Sequence, residues 1–320
     1  MLKAVLLFAL GLVLLIKGGD WFVDGATGIA RRFHVPELLI GATVVSIGTT
    51  IPEVMVSANS ALGGHGEIAY GNALGSVICN TALIAAITIA VRPSTVERKA
   101  IRTPLLFFFA AAALYSVVAY TTGFFSRWVG LALLAMFVIY ILLCVRDARK
   151  GSVPEEDRLD EHTAPLTKAI ILLVVGAALI AVGADLLVDN GTIIATELGV
   201  PEAVIALTFV ALGTSLPELV TAITALAKGH SDLSLGNVIG ANLFNLVLVS
   251  GVASALAPFQ IPVSRTVAGM NASLVVDIPV MLGVMLLLAI PALRKERLYR
   301  SQGIALLCIY AAFCVFQFVV

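Results

Sequence analysis

Two glutamates stand where the chain otherwise avoids charge. Glu53 lies in GTTIPEV, residues 48 to 54, within an apolar segment from Val35 to about Leu62, and Glu218 lies in GTSLPEL, residues 213 to 219. A carboxylate at mid-bilayer costs about 2.5 to 3.5 kcal/mol on insertion scales, and one facing the protein interior defaults to function. Each sits beside a proline. Pro52 lacks the N–H that would bond the Gly48 carbonyl, and Pro217 does the same to Gly213. Carbonyls around Gly48, Thr49, Gly213 and Thr214 therefore become available, beside the side-chain oxygens of Thr49, Thr50, Thr214 and Ser215. Irregular backbone at membrane depth is tolerated where it lines a cavity.

These are all hard oxygen donors, suited to calcium, magnesium or sodium rather than zinc or copper. Two bidentate glutamates and two carbonyls supply six oxygens, and a water or two reaches the six to eight that calcium takes; magnesium, which wants a small octahedron and keeps its water, fits less well. Two carboxylates match one divalent ion, or the monovalent ions that replace it. The alternative is a structural pair neutralised by a buried cation such as Lys17, but the residue equivalent to Lys17 in the second copy described below is Val182.

A second motif follows each glutamate. In GNALGSVICN, residues 71 to 80, Asn72, Ser76 and Asn80 share one helical face at i, i+4, i+8; in GNVIGANLFN, residues 236 to 245, the same face carries Asn237, Ala241 and Asn245. Asn80 and Asn245 are expected as ligands or near-ligands. The paired glycines, Gly71 with Gly75 and Gly236 with Gly240, allow close helix approach. Asp20, Asp24, Asp185 and Asp189 read as interfacial caps or partners of nearby polar groups, and His65 and His230 as loop residues.

The elements that must hold these residues follow from composition. Of the 320 residues 60% are hydrophobic and 12% charged, with a mean hydropathy of +1.04, outside the range of soluble domains. Apolar runs of roughly 20 residues, enough for a helix to cross about 30 Å of hydrocarbon, recur throughout. Breaks at charges, glycines and prolines give ten expected spans: 2 to 30, 36 to 62, 68 to 91, 103 to 122, 127 to 145, 166 to 195, 201 to 227, 234 to 257, 270 to 293 and 302 to 319. The first is expected to stay uncleaved, because no A-x-A site follows it. The fold class is an all-α membrane protein, with the second, third, seventh and eighth helices broken.

The two halves align at a constant offset of 165 residues, and positions 35 to 80 share 16 identities in 46 pairs with 200 to 245. This is a duplication. We read 1–145 as the first five-helix repeat, 146–165 as a cytoplasmic linker and 166–320 as the second. An odd number of spans per copy inverts the second relative to the first, which is a transporter architecture with its site near the midplane. Sixteen basic residues fall in loops on one side against three on the other, so both termini are expected outside. The setting is a multi-pass protein of a prokaryotic cell membrane, and a monomer is the expected state.

With these paired G-T-[ST]-x-P-E and GN-x-x-G motifs in both halves, the chain resembles the cation/calcium antiporter superfamily, specifically its sodium/calcium exchanger branch. The resemblance implies exchange of sodium for calcium by alternating access. It implies that Glu53 and Glu218 hold calcium with the carbonyls of Thr49 and Thr214. Sodium would use those carboxylates, the hydroxyls of Thr50, Ser76 and Ser215, and the carbonyls of Ser46 and Ala211, with Asn80 and Asn245 bordering the middle site. Ca2+ and Na+ are the implied substrates, with no cofactor. Ala241 stands where a serine is common, which puts one sodium site and the stoichiometry in question. Asn245 stands where potassium-dependent relatives carry aspartate, which argues against potassium cotransport.

The nearest rival is a proton/calcium antiporter using the same glutamates, although the G-N-x-x-E motif of proton-coupled relatives is missing. Balanced charge, 20 basic against 20 acidic side chains, gives no reason to expect nucleic acid as a partner. No HExxH, GxSxG or Cys/His pairing suggests an enzyme, and inverted repeats with broken helices favour alternating access over a channel. Cys79, Cys144, Cys308 and Cys314 read as small apolar residues.

Overall fold

In hydrocarbon every backbone polar group must be satisfied within the segment, which leaves the helix as the element for such apolar runs. The computed structural model describes residues 2–150, 165–199, 213–263 and 265–319. Among them are α1 (Leu2–Phe33), α2 (Glu37–Leu62), α3 (Gly66–Val91), α4 (Arg98–Thr121), α5 (Arg127–Lys150), α6 (Leu166–Glu197), α7 (Leu216–Ala227), α8 (Ser231–Leu256), α9 (Ser273–Lys295) and α10 (Arg300–Val319). All but α7 are long and apolar enough to cross a membrane. The seventh expected span is described only from residue 213, and linker residues 151–164 lie outside the described residues.

Most expected bounds hold to within a few residues. Two shift for local reasons. α4 begins at Arg98 rather than 103, taking its basic first turn into the helix. α9 begins at Ser273 rather than 270 because Met270–Asn271 pairs with Thr266–Val267 as a small hairpin, and Asn271 Oδ1 then accepts the Ser273 N–H at 2.8 Å, a side-chain stop of the kind that starts helices.

The breaks take the form of π turns, in which the regular i→i−4 ladder slips by one residue. They occupy Gly41–Val45 in α2, Asn80–Ala85 in α3 and Asn245–Val249 in α8, three of the four helices expected to be broken, and Ser273–Asp277 in α9, which is not one of the four. Asn80 and Asn245, related by the offset of 165, open two of them. α2 stays helical through Pro52, whereas α7 starts at Leu216 with Pro217 in its first turn.

The duplication is visible in the packing. α1 and α6 run along one another on glycine: a Cβ on Gly18 would come within 2.8 Å of Ile180 N and 2.9 Å of Gly176 O, and one on Gly183 within 2.8 Å of Gly11 O. The offset maps Gly11 onto Gly176 and Gly18 onto Gly183, so the two contacts are mates. α3 and α8 are the most enclosed of the long helices. Gly236 and Gly240 press on the backbone of Leu38 and Ala42, the close approach expected of their spacing, whereas a Cβ on Gly71 or Gly75 would meet nothing within 4 Å, so that pair does not make the expected approach.

Loops that alternate crossing assigns to one side touch each other. Phe124–Phe125 pairs with Phe259–Gln260 at one end; at the other, Thr95 bridges to Arg297 and Arg98 lies 3.7 Å from Glu296. Outward-facing Trp128, Leu142, Val174 and Val315 are exposed, as a lipid-facing surface requires.

Candidate cation site

Glu53 and Glu218 are both 0% exposed and interact electrostatically with each other. α2 brings Glu53 into the interior one turn after Thr49 and Thr50, and α2 packs against α7, which carries Glu218. The two motifs thus meet between the repeats. Thr49, Thr50, Ser215, Ser76, Asn80, Asn245 and Ser46 are buried, and Thr214 is half-buried at the turn before α7. Ala211 lies outside the described residues. The Asn80–Ala85 turn packs on α7 and α8, and the Asn245–Val249 turn packs on α2 and α3, so each amide helix faces elements of both repeats.

Unpartnered buried polar atoms gather in this region. Buried polar atoms nearly always find a partner, yet both carboxylate oxygens of Glu53 and of Glu218, the hydroxyls of Thr50 and Ser215, and both amide atoms of Asn80 and Asn245 have none among protein groups. Leaving a buried polar group unpaired costs about 1 to 3 kcal/mol, and more for a charged one. Lys17 does not offset that cost, because it is exposed on α1. Among the described residues no ion pair involves either glutamate and no cluster of three His, Cys, Asp or Glu exists. The site therefore offers two carboxyl groups and a set of oxygen donors.

A small cavity lined by Gly48, Thr49, Pro52 and Pro217 opens toward Phe22 of α1 and Ala177, Ile180 and Ala181 of α6. It joins the proline positions to the glycine-packed helix pair. One freed carbonyl is re-used: Leu216 N donates to Gly213 O at 3.3 Å, closing the turn that starts α7.

The surrounding polar contacts cross between repeats. Thr49 Oγ1 donates to Asn237 Oδ1 at 3.2 Å, and Thr214 Oγ1 donates to Asn72 Oδ1 at 3.3 Å. Asn72 Nδ2 donates to the Glu53 carbonyl at 3.2 Å and to Ser57 Oγ at 2.8 Å. Ser46 Oγ lies 2.7 Å from Gly41 O and 2.9 Å from Asn237 O. Sequence reasoning puts Asn72 and Asn237 on the cavity face but does not find their threonine partners, and it passes over Ser57. The available signal is the position of Ser57 one turn beyond Glu53 in an apolar run.

Two lesser expectations concern the helix ends that carry the basic loops. Lys228 Nζ sits 2.8 Å from Asp24 and 3.4 Å from Asp20, so these aspartates do partner a nearby polar group. His230 is more than a loop residue: its Nδ1 lies 2.9 Å from Glu37, joining the start of α8 to the start of α2.

The profile of the family described as "Sodium/calcium exchanger protein" matches residues 3–146 and 168–319. The chain is 37% identical to the inner membrane protein YrbG of Escherichia coli over 82% of each chain, and 31% identical to the sodium/calcium exchanger MaX1 of Methanosarcina acetivorans over 98% of each. It superposes on the sodium-calcium exchanger NCX_Mj, solved after soaking with sodium and strontium, with a TM-score of 0.81 and 34% identity over 97% of both chains.

Proposed function

The chain belongs to the sodium/calcium exchanger family, and we propose that it exchanges Na+ for Ca2+ across the membrane by alternating access, binding both near the midplane between two inverted repeats. The observation that carries this reading is the buried, mutually repelling carboxylate pair, ringed by polar atoms that lack protein partners. Such a ring fits a cation. Glu53 and Glu218 are the charged ligands in this account. The carbonyls of Thr49 and Thr214 complete calcium; the hydroxyls of Thr50, Ser76 and Ser215 and the carbonyls of Ser46 and Ala211 serve sodium; Asn80 and Asn245 border the middle site. The repeats are 1–145 and 166–320, joined by the cytoplasmic linker 146–165, with both termini outside on the count of basic residues.

Exchange without leak follows from electrostatics. Bare carboxylates in a low dielectric are uncompensated charge, so the protein with no ion bound resists crossing between states, while a calcium or its sodium replacements cancel that charge. α1 and α6, which pack mainly on each other, are suited to shift as one body against the rest.

Calcium-45 uptake into proteoliposomes under imposed sodium, potassium or proton gradients tests the reading. Uptake driven by an outward sodium gradient is expected. Uptake driven by a pH gradient alone would instead mark a proton/calcium antiporter using the same glutamates.

A further inference from the structure

We propose that Asn72 and Asn237 are positioning residues for calcium, each holding from one repeat the threonine whose carbonyl binds the ion in the other. The inference rests on the reading of Thr49 and Thr214 as ligands. Its basis is a pair of bonds, Thr49 to Asn237 at 3.2 Å and Thr214 to Asn72 at 3.3 Å. The offset of 165 turns Thr49 into Thr214 and Asn72 into Asn237, so the two bonds are symmetry mates that cross between repeats in opposite senses. Asparagines that only glued helices together could meet any polar atom. Here both meet the ligand-bearing residue of the other copy.

Threonine makes the bond consequential. Its branched Cβ leaves few χ1 states, so fixing the hydroxyl fixes the side chain against its own backbone, and with it the direction of the adjoining carbonyl. Asn72 extends the link, because its Nδ2 bonds the Glu53 carbonyl and Ser57 Oγ. With Nδ2 committed there, Oδ1 is the atom left to accept from Thr214, which fixes the amide's orientation. One side chain thus ties the backbone at Glu53 of the first repeat to Thr214 of the second.

Asn237 is held differently. The counterpart of Ser57 is Ala222, and Asn237 Nδ2 has no hydrogen-bond partner although the residue is fully buried. Ser46 Oγ approaches both its carbonyl, at 2.9 Å, and its Oδ1, at 3.3 Å. Thr49 is therefore registered through a cluster of hydroxyls and Thr214 through an anchored amide.

The test is the calcium KM of sodium-driven calcium-45 uptake for Thr49→Val, Thr214→Val, Asn72→Ala, Asn237→Ala and their double variants. Valine keeps the shape and the backbone carbonyl of threonine and removes the hydroxyl alone. Each single change is expected to raise the calcium KM about fivefold, the worth of one neutral hydrogen bond, with Vmax little altered. The doubles Thr49→Val/Asn237→Ala and Thr214→Val/Asn72→Ala should be no worse than their weaker member, while the crossed double Thr49→Val/Asn72→Ala should multiply its effects. Effects that multiply in every pair overturn the proposal, as does an unchanged KM in both valine variants, which decides the matter alone if the asparagine variants fail to fold. Sodium-driven uptake that survives Glu53→Gln would sink the exchanger reading itself; abolished uptake in that control with unmoved KM in the valine variants would sink this inference alone.

Discussion

The two copies of the motif share their polar residue types but not their scaffolding. In the first, α2 stays helical through Pro52, Glu53 sits deep in the helix, and Ser57 one turn later anchors Asn72. In the second, α7 begins only at Leu216, Glu218 lies in its first turn, and Ala222 offers Asn237 nothing. Outside the motif the copies diverge again. Lys228 ties α7 to Asp20 and Asp24 of α1, while the position equivalent to Lys228 in the first copy is Gly63. The two copies share the glutamate, the two hydroxyls before it and the amides, whereas what holds those groups in place differs between them.

The largest effect should erase the difference between the copies. Glu53→Gln and Glu218→Gln each leave one buried carboxylate facing an ion of charge two, and breaking a buried charge pairing of this kind costs about 3 to 5 kcal/mol. Both are expected to abolish calcium exchange in the proteoliposome assay, and to equal degree. Robust uptake in either would mean that one glutamate is scaffolding.

A middle-sized effect should sharpen it. Ser76 has a hydroxyl where its counterpart Ala241 has none. Ala241→Ser is expected to lower the sodium concentration for half-maximal calcium release by about fivefold, the scale of one added hydrogen-bonding oxygen, and Ser76→Ala to raise it. A flat response to both would remove this position from the sodium path.

The smallest effect concerns the lysine tether between α7 and α1. Lys228→Met removes a partly exposed ion pair, typically worth under about 1 kcal/mol and screened by salt. A modest change in exchange rate is expected at low ionic strength, vanishing at high ionic strength. The matched change at Gly63, which faces no aspartate tether, should do nothing.

Much of this is legible in the order of residues alone. Hydropathy bounds the helices because the bilayer admits little else, and the unbroken offset of 165 pairs Glu53 with Glu218 because a repeated fold repeats its polar exceptions. Asn80 and Asn245 stand out for the same reason, and each opens a π turn.

Tertiary structure alone decided who touches whom. Inverting one repeat sets α3 and α8 each against the motif of the other copy, so Asn72 reaches Thr214, 142 residues away, rather than its neighbour Thr49. Local periodicity fixes a face but says nothing about what packs on it. The same limit hid the pairing of Gly11 with Gly183, the exposed position of Lys17 and the contact of His230 with Glu37. The sequence determined which residues could bind a cation, since that depends on atom type and membrane depth; their convergence depends on the crossing of helices distant in the chain.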